Sequence, residues 1–265
     1  MQRIVTSRIV LDVVEPAELV FAIAVSRHYA PAEERMDATL DGAAVALEQL
    51  EDAHGTRLHR IRSSAGRFVL DYRAVVEGEG AVETASDVDL LAATRPSRYA
   101  PSDALTPTAV AEFAGIDEPA ERLRAVSSWV GTRLAYVSGS SSPIDGALET
   151  LRDRQGVCRD YAHLVVGLLR ALDVPARLVA VYAPGLEPMD FHAVAEAWVD
   201  GAWQAVDATA LAPRSTLVRI ATGRDAADTA FLTTLRGRVD LLEMTVTATA
   251  DALPHDDLDE LVAIR

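Results

Sequence analysis

The chain has 265 residues, enough for two compact units, and its 49% hydrophobic and 25% charged residues are the proportions of a folded globular protein. A formal net charge of −15, with all 25 basic residues arginine, argues against a nucleic-acid or anionic-membrane partner, since either would need clustered cations. No apolar run reaches the roughly 18 residues of a membrane span, Met1-Gln2-Arg3-Ile4-Val5 lacks the apolar stretch of a secretory leader, and the single Cys158 can form no internal disulfide, so a cytoplasmic location is expected.

From the start to about residue 78 the hydrophobic pattern has period two, clearest where Phe68, Leu70, Tyr72, Ala74 and Val76 alternate with Val69, Asp71, Arg73 and Val75. Similar short segments at 4–14, 17–27, 34–40, 43–50 and 56–63 are divided by turn signals at Glu15-Pro16, Asp41-Gly42, His54-Gly55 and Ala65-Gly66. These read as a small antiparallel β-sandwich over residues 1–78. Residues 79–104, acidic and carrying Pro96 and Pro101, read as a linker.

Helical signals follow Thr106-Pro107 and Asp117-Glu118-Pro119, the second running to about Leu134, because a helix start tolerates proline. A short helix is expected at 145–152. A strongly apolar one is expected from about Cys158 to Leu172, before Pro175 prevents continuation. Strand patterns return at 176–182, 191–199, 203–207 and 239–248, so helices precede a mainly antiparallel sheet and this part is α+β, with a catalytic unit at 105–248. Residues 249–265, with His255-Asp256-Asp257 and Asp259-Glu260, read as a solvated acidic tail or a short terminal helix.

Cys158 falls where a loop enters its helix. There the unpaired N–H groups and the helix dipole favour a thiolate and can donate to an oxyanion. A lone cysteine is more often inert packing, so a base has to be found. Of the six histidines, His28, His54 and His59 fall in the N-terminal unit, His255 in the tail and His163 inside the helix, which leaves His192. It opens a strand ending at Asp200-Gly201, a pair favoured in two-residue type I′ hairpins. With that turn, Val199 faces Ala202, and His192, Val194, Asp207 and Thr209 share one sheet face, Asp207 diagonal to His192. A three-residue loop would put the two residues on opposite faces. Each of these residues alone has an ordinary structural explanation; together they suggest Cys158 as nucleophile, His192 as acid and base, and Asp207 as the carboxylate that orients the ring.

The motifs Gly156-Val157-Cys158-Arg159-Asp160-Tyr161-Ala162-His163-Leu164, Asp173-Val174-Pro175-Ala176-Arg177, Phe191-His192-Ala193 and Trp203-Gln204-Ala205-Val206-Asp207-Ala208-Thr209 closely resemble the bacterial transglutaminase-like superfamily. The resemblance implies a papain-like core with Cys158, His192 and Asp207 as its catalytic triad, often preceded by a β domain. It implies a thiol enzyme that cleaves or transfers an acyl group from a peptide or protein amide through a Cys thioester, most plausibly a cysteine peptidase or amidase. The competing reading is a catalytically silent binding module on the same fold.

Two departures stand out. The family's usual Ala-Trp after the histidine is Ala193-Val194 here, and its Asp-Pro-Thr is Asp207-Ala208-Thr209. Tyr136, Gln155, Val194 and Trp203 are taken as candidate substrate-binding residues, Tyr136 and Gln155 as helpers to the Cys158 N–H at an oxyanion. The stretch containing Gly223-Arg224-Asp225 also resembles one branch of the family and reads as a buried ion-pair lock or a site-lining loop. No cofactor or dedicated metal site is expected, calcium dependence is not implied because no spaced oxygen-ligand pattern is present, and self-association is left open.

Overall fold

The structure, a computed structural model, describes residues 1–265. It opens with β1 (Gln2–Phe21), β2 (Glu33–Leu40), β3 (Ala43–Ala44), β4 (Glu48–Glu51), β5 (Arg57–Ser63) and β6 (Gly66–Glu77). Helices α1 (Asp87–Thr94), α2 (Ser102–Phe113) and α3 (Pro119–Arg133) follow, then β7 (Ala135–Tyr136), α4 (Ala147–Asp153), β8 (Gln155–Gly156) and α5 (Cys158–Ala171). The chain ends with β9 (Ala176–Tyr182), β10 (Phe191–Val199), β11 (Ala202–Val206), β12 (Val218–Gly223), α6 (Ala226–Thr229) and β13 (Leu232–Ala250). This is the expected α+β arrangement, an antiparallel β unit followed by helices packed on a second antiparallel sheet.

The first sheet has the order β3-β2-β6-β1-β5-β4, with β13 on the other edge of β1. Glu15-Pro16 was expected to end a strand. Instead β1 runs through it for 20 residues, handing its partner over from β6, last paired at Val13↔Gly66, to β5, first paired at Ala17↔Ser63. Pro16, which has no N–H to give a ladder, falls in that gap, and the register against β13 also shifts there. The sheet therefore curls at this point instead of breaking. Gly237 of β13 has φ +76°, and a Cβ there would meet the Pro16 carbonyl at 2.3 Å, so the bend requires a glycine opposite it.

The strand expected at 239–248 starts at Leu232 and joins the first sheet rather than the second, pairing with β1 from Arg3↔Ala250 to Phe21↔Leu232. A period-two pattern marks a strand but not the edge that will accept it, and the long free edge of β1 was the available partner. The two sheets also share a core. Tyr182 of β9 is fully buried among residues of the first sheet and donates its hydroxyl to the Ile23 carbonyl at 2.8 Å.

The second sheet has the order β11-β10-β9-β12. Helix α5 lies on it through Leu164, Val165, Leu168 and Leu169, which meet Ala176, Ala195, Ala197 and Val199, while Leu105 of α2 and Val126 and Val130 of α3 close the other side. Gly167 lets α2 approach, since a Cβ there would lie 2.4 Å from Leu105. Helix α2 begins at Ser102 rather than after Pro107, so Pro107 sits inside it. No helix is long and apolar enough to cross a membrane.

The stretch read as a linker is ordered and tied down in its first half. Ser86 and Asp89 form a capping box at the start of α1, and Glu83 enters a charged cluster with Arg177, Glu196 and Arg219. Glu196 is fully buried; Arg177 reaches it at 2.7 and 2.9 Å and Arg219 at 2.5 and 3.0 Å. Residues 251–265 form no helix, and although most of 251–260 are exposed, the segment is fastened to the body of the protein. Asp256 pairs with buried Arg214 at 3.0 Å, the Val262 carbonyl accepts from Ala205 N–H at 2.7 Å, and Ile264 is buried beside Leu217.

Candidate active site

Cys158 is the first residue of α5 and is half-buried. The sequence before it builds a helix start. Val157 is extended, and the Asp160 carboxylate folds back to accept the Val157 N–H at 2.8 Å and the Ser141 hydroxyl at 2.9 Å. Gly156 leaves room for this fold-back, because a Cβ there would lie 2.6 Å from Asp160 Cβ. The Gly-Val-Cys-Arg-Asp run thus presents the thiol at the N-terminal end of an apolar helix that the sheet holds rigidly.

The turn at Asp200-Gly201 has φ of 53° and 75°, and the ladder runs Val199↔Ala202, Trp198↔Trp203, Ala197↔Gln204, Glu196↔Ala205 and Ala195↔Val206. This is the two-residue hairpin register, and it brings Asp207, one residue past β11, beside His192 near the start of β10. His192 and Asp207 are 2% and 3% exposed, so their contact is shielded from water. His192 Nε2 meets Asp207 Oδ2 at 2.8 Å, and Asp207 Oδ1 accepts from Thr209 N–H at 3.0 Å and Thr209 Oγ1 at 2.6 Å. Both carboxylate oxygens are therefore engaged.

The remaining ring nitrogen, Nδ1, is buried and has no hydrogen-bond partner, and the Cys158 side chain lies close enough to the ring to help raise its pKa. Burial alone would lower the His192 pKa. The Asp207 charge and hydrogen bond, followed by Cys158, outweigh it and push it up to about 10. For Asp207, burial raises the pKa, but the imidazolium and Thr209 win and hold the carboxyl below its usual range. Thiol, imidazole and carboxylate are thus neighbours, the ring close to both of the others. They do not converge on one point, and no group of three His, Cys, Asp or Glu side chains is placed to hold a metal ion.

The thiol opens on a cleft of about 650 Å³ between the second sheet and β13. Its rim carries Cys158, Arg159, Asp190 and His192, and its interior is largely apolar. Of the four residues expected to bind substrate, Tyr136 alone lies at the thiol. Strand β7 pairs with β8 at Tyr136↔Gly156, which sets its hydroxyl against the Cys158 backbone N–H, and burial together with the neighbouring Cys158 side chain pushes the phenol up to about 12. Gln155 instead faces a small polar recess with Ser140, Asp145 and Glu149. Val194 is buried in a core beside Val179 and Ala205. Trp203 lies under the Arg177 guanidinium, 3.9 Å from its ring centroid, beside His54 and Thr222 rather than at the cleft. Val194 and Trp203 share the sheet face of His192 but lie farther along the strands, where that face is covered by packing away from the thiol.

The Gly223-Arg224-Asp225 segment places its ion pair at the surface rather than in the interior, and its three residues do not themselves line the cleft. Arg224 pairs with Asp228 at 2.9 Å on the surface, and buried Asp225 caps α6 through Ala227 N–H and accepts the Tyr99 N–H, both at 2.9 Å. The Ala226 N–H donates to His163 Nε2 at 3.1 Å; His163 is stacked on Tyr99 and held neutral by burial, its pKa lowered to about 3. These bonds fasten the loop to α5, and the residues just after it, Ala226, Ala227 and Ala230, line the cleft. Phe191, Phe231 and Met244 also line it. Phe191 adjoins His192 in sequence, but no local pattern tied Phe231 and Met244 to the site, because they come from segments far along the chain from the thiol.

Residues 107–208 match the profile of the transglutaminase-like superfamily, a segment that contains Cys158, His192 and Asp207. The crystal structure of a candidate cysteine protease from Cytophaga hutchinsonii superposes with a TM-score of 0.88 and 32% sequence identity, covering 98% of this chain and 96% of that one. An uncharacterized protein of Mycobacterium leprae is 28% identical over 159 residues, 56% of this chain and 57% of that protein. One of Mycobacterium tuberculosis is 37% identical over 87 residues, 28% of its length, so this chain aligns with only part of these curated relatives. With an identity of 32% over nearly the whole of both chains to the Cytophaga protein, and the family profile spanning the hairpin, α5 and the thiol, the chain belongs to the transglutaminase-like superfamily.

Proposed function

We propose that the protein is a cysteine hydrolase acting on an amide or peptide bond. One observation carries this reading: a buried His192–Asp207 pair at 2.8 Å with an unpartnered ring nitrogen, and a half-buried Cys158 thiol at a helix N-terminus close enough to act on that ring. In the proposed cycle the Cys158 thiolate adds to the carbonyl carbon, and the carbonyl π electrons move to oxygen. The negative oxygen lies toward the Cys158 N–H and the Tyr136 hydroxyl, which stays protonated at neutral pH. The tetrahedral adduct collapses with loss of the amine, to which His192 gives its proton, leaving a thioester. His192 then takes a proton from water as the water attacks, and the acid departs with the thiolate restored. Asp207 keeps the ring oriented and supports its positive charge throughout.

A silent binding module would suit a blocked cleft; the open cleft beside Cys158 supports the enzymatic reading instead. A casein digest followed by mass spectrometry tests the reading. Wild-type protein should generate new peptide termini, while Cys158→Ala and protein alkylated with iodoacetamide should not. Equal digestion by wild type and Cys158→Ala would overturn it. Adding a primary amine separates the two fates of the thioester, since a transferase would incorporate the amine and a hydrolase would release acid.

A further inference from the structure

The chamber beside Cys158 is wider and more apolar than attack on a bare amide requires. Of its 22 lining residues, 15 are hydrophobic. Its floor is a sheet face kept hollow by small side chains, since Ala180 of β9 and Ala193 of β10 are direct cross-strand partners. Leu178 and Ile220 rise on either side of that hollow. The wall opposite is aromatic and rigid, with Phe191 and Phe231 stacked at 5.5 Å between ring centroids. Ile220, Phe231 and Met244 lie outside residues 107–208, so the parts of the chain surrounding the shared core build this space.

The titratable lining groups Arg159, Asp190 and His192 accompany the thiol, and Tyr99, Thr229, Thr233 and Thr234 are the other polar ones. Arg159 is pinned there by Ser141 Oγ at 2.6 Å and the Ser142 carbonyl at 3.0 Å, and Asp190 lies at the same mouth as the thiol. A largely apolar lining with charged groups beside the thiol suits a ligand with an apolar body and a polar main chain at the reacting end. Its volume of about 650 Å³ has room for a large side chain with adjoining atoms.

We propose, on the reading that Cys158 becomes acylated, that this chamber is the acyl-side subsite and selects a bulky apolar side chain, aromatic or branched aliphatic, on the residue whose carbonyl is attacked. The substrate class is then peptides cleaved after a residue such as Phe, Leu or Met, and a Gly, Ser or charged residue is disfavoured at that position.

Binding to Cys158→Ala protein, which cannot turn over, tests this apart from catalysis. Saturation-transfer NMR and calorimetry would compare N-acetyl-phenylalaninamide and N-acetyl-leucinamide with N-acetyl-glycinamide. Burying such a side chain predicts at least about tenfold tighter binding of the first two. Ala227→Trp, made at an exposed position lining the chamber, should cut that preference below about threefold; Ala230→Leu provides a second filling variant, and thermal melts check that both fold. Equal binding of the phenylalanine and glycine amides, or a preference unchanged in both filling variants, overturns the proposal. Discrimination without turnover by wild type would leave the subsite standing and remove the hydrolase reading; turnover without discrimination would do the reverse.

Discussion

Replacing Asp207 by Asn keeps the shape of the site and reverses one hydrogen bond. Asp207 Oδ1 is held by two donors, Thr209 N–H and Oγ1, so an asparagine would keep its carbonyl oxygen there and turn its NH2 toward His192 Nε2. Two donors cannot face each other, so Nε2 must become an acceptor and the ring proton moves to Nδ1. The neutral ring then cannot take a proton from the thiol. The charge that does most to raise His192 to about 10 is also lost, and burial, which opposes ionisation, takes over. General acid–base help of this kind is worth about 10²- to 10⁴-fold, or about 3 to 5 kcal/mol of barrier. The assay is kcat/KM for peptide hydrolysis, together with a 15N titration of the His192 ring, its signal identified by its absence from His192→Gln. Wild type should hold an imidazolium through neutral pH and lose it near pH 10, and Asp207→Asn should be neutral at pH 7. A variant that keeps its activity within about threefold and its imidazolium at pH 7 would refute the linkage between carboxylate, ring and thiol.

Three further outcomes are expected. Glu196→Ala leaves the Arg177 and Arg219 guanidiniums buried without their shared carboxylate, and denaturant unfolding should show a loss of about 3 to 5 kcal/mol; a loss under about 1 kcal/mol would mean that Glu83 alone neutralises them. Because His192 is raised above its unfolded value of 6.5, its contribution to stability is complete below about pH 6.5 and is lost as pH rises toward about 10. Melting temperature should therefore fall over that window, with a shallower slope in Asp207→Asn. Gly131→Ala would put a Cβ 2.7 Å from the Ala208 carbonyl, next to Asp207, and should cost about 1 to 3 kcal/mol while lowering turnover about tenfold; unchanged turnover would show that the Asp207 loop tolerates the shift.

The sequence by itself determined the site's three proposed reacting groups and their local frames. Gly156 and Asp160 dictate a helix start at Cys158, and Asp200-Gly201 dictates a two-residue turn whose register puts Asp207 beside His192, because turn chemistry and strand parity act within a few residues. Only the tertiary structure decided what surrounds them. Strand β13 reads as a strand from its alternation, yet its place against β1 depends on which edge was free. Gln155, Val194 and Trp203 are close to the catalytic motifs in sequence and still lie away from the thiol, while Phe231 and Met244, distant in sequence, wall the cleft. Glu83, in a stretch that looked like a linker, became part of a buried ion cluster because both of its arginine partners come from the second sheet. Local hydrogen-bond geometry is written in neighbouring residues; packing between distant surfaces is set by complementarity that no single segment contains.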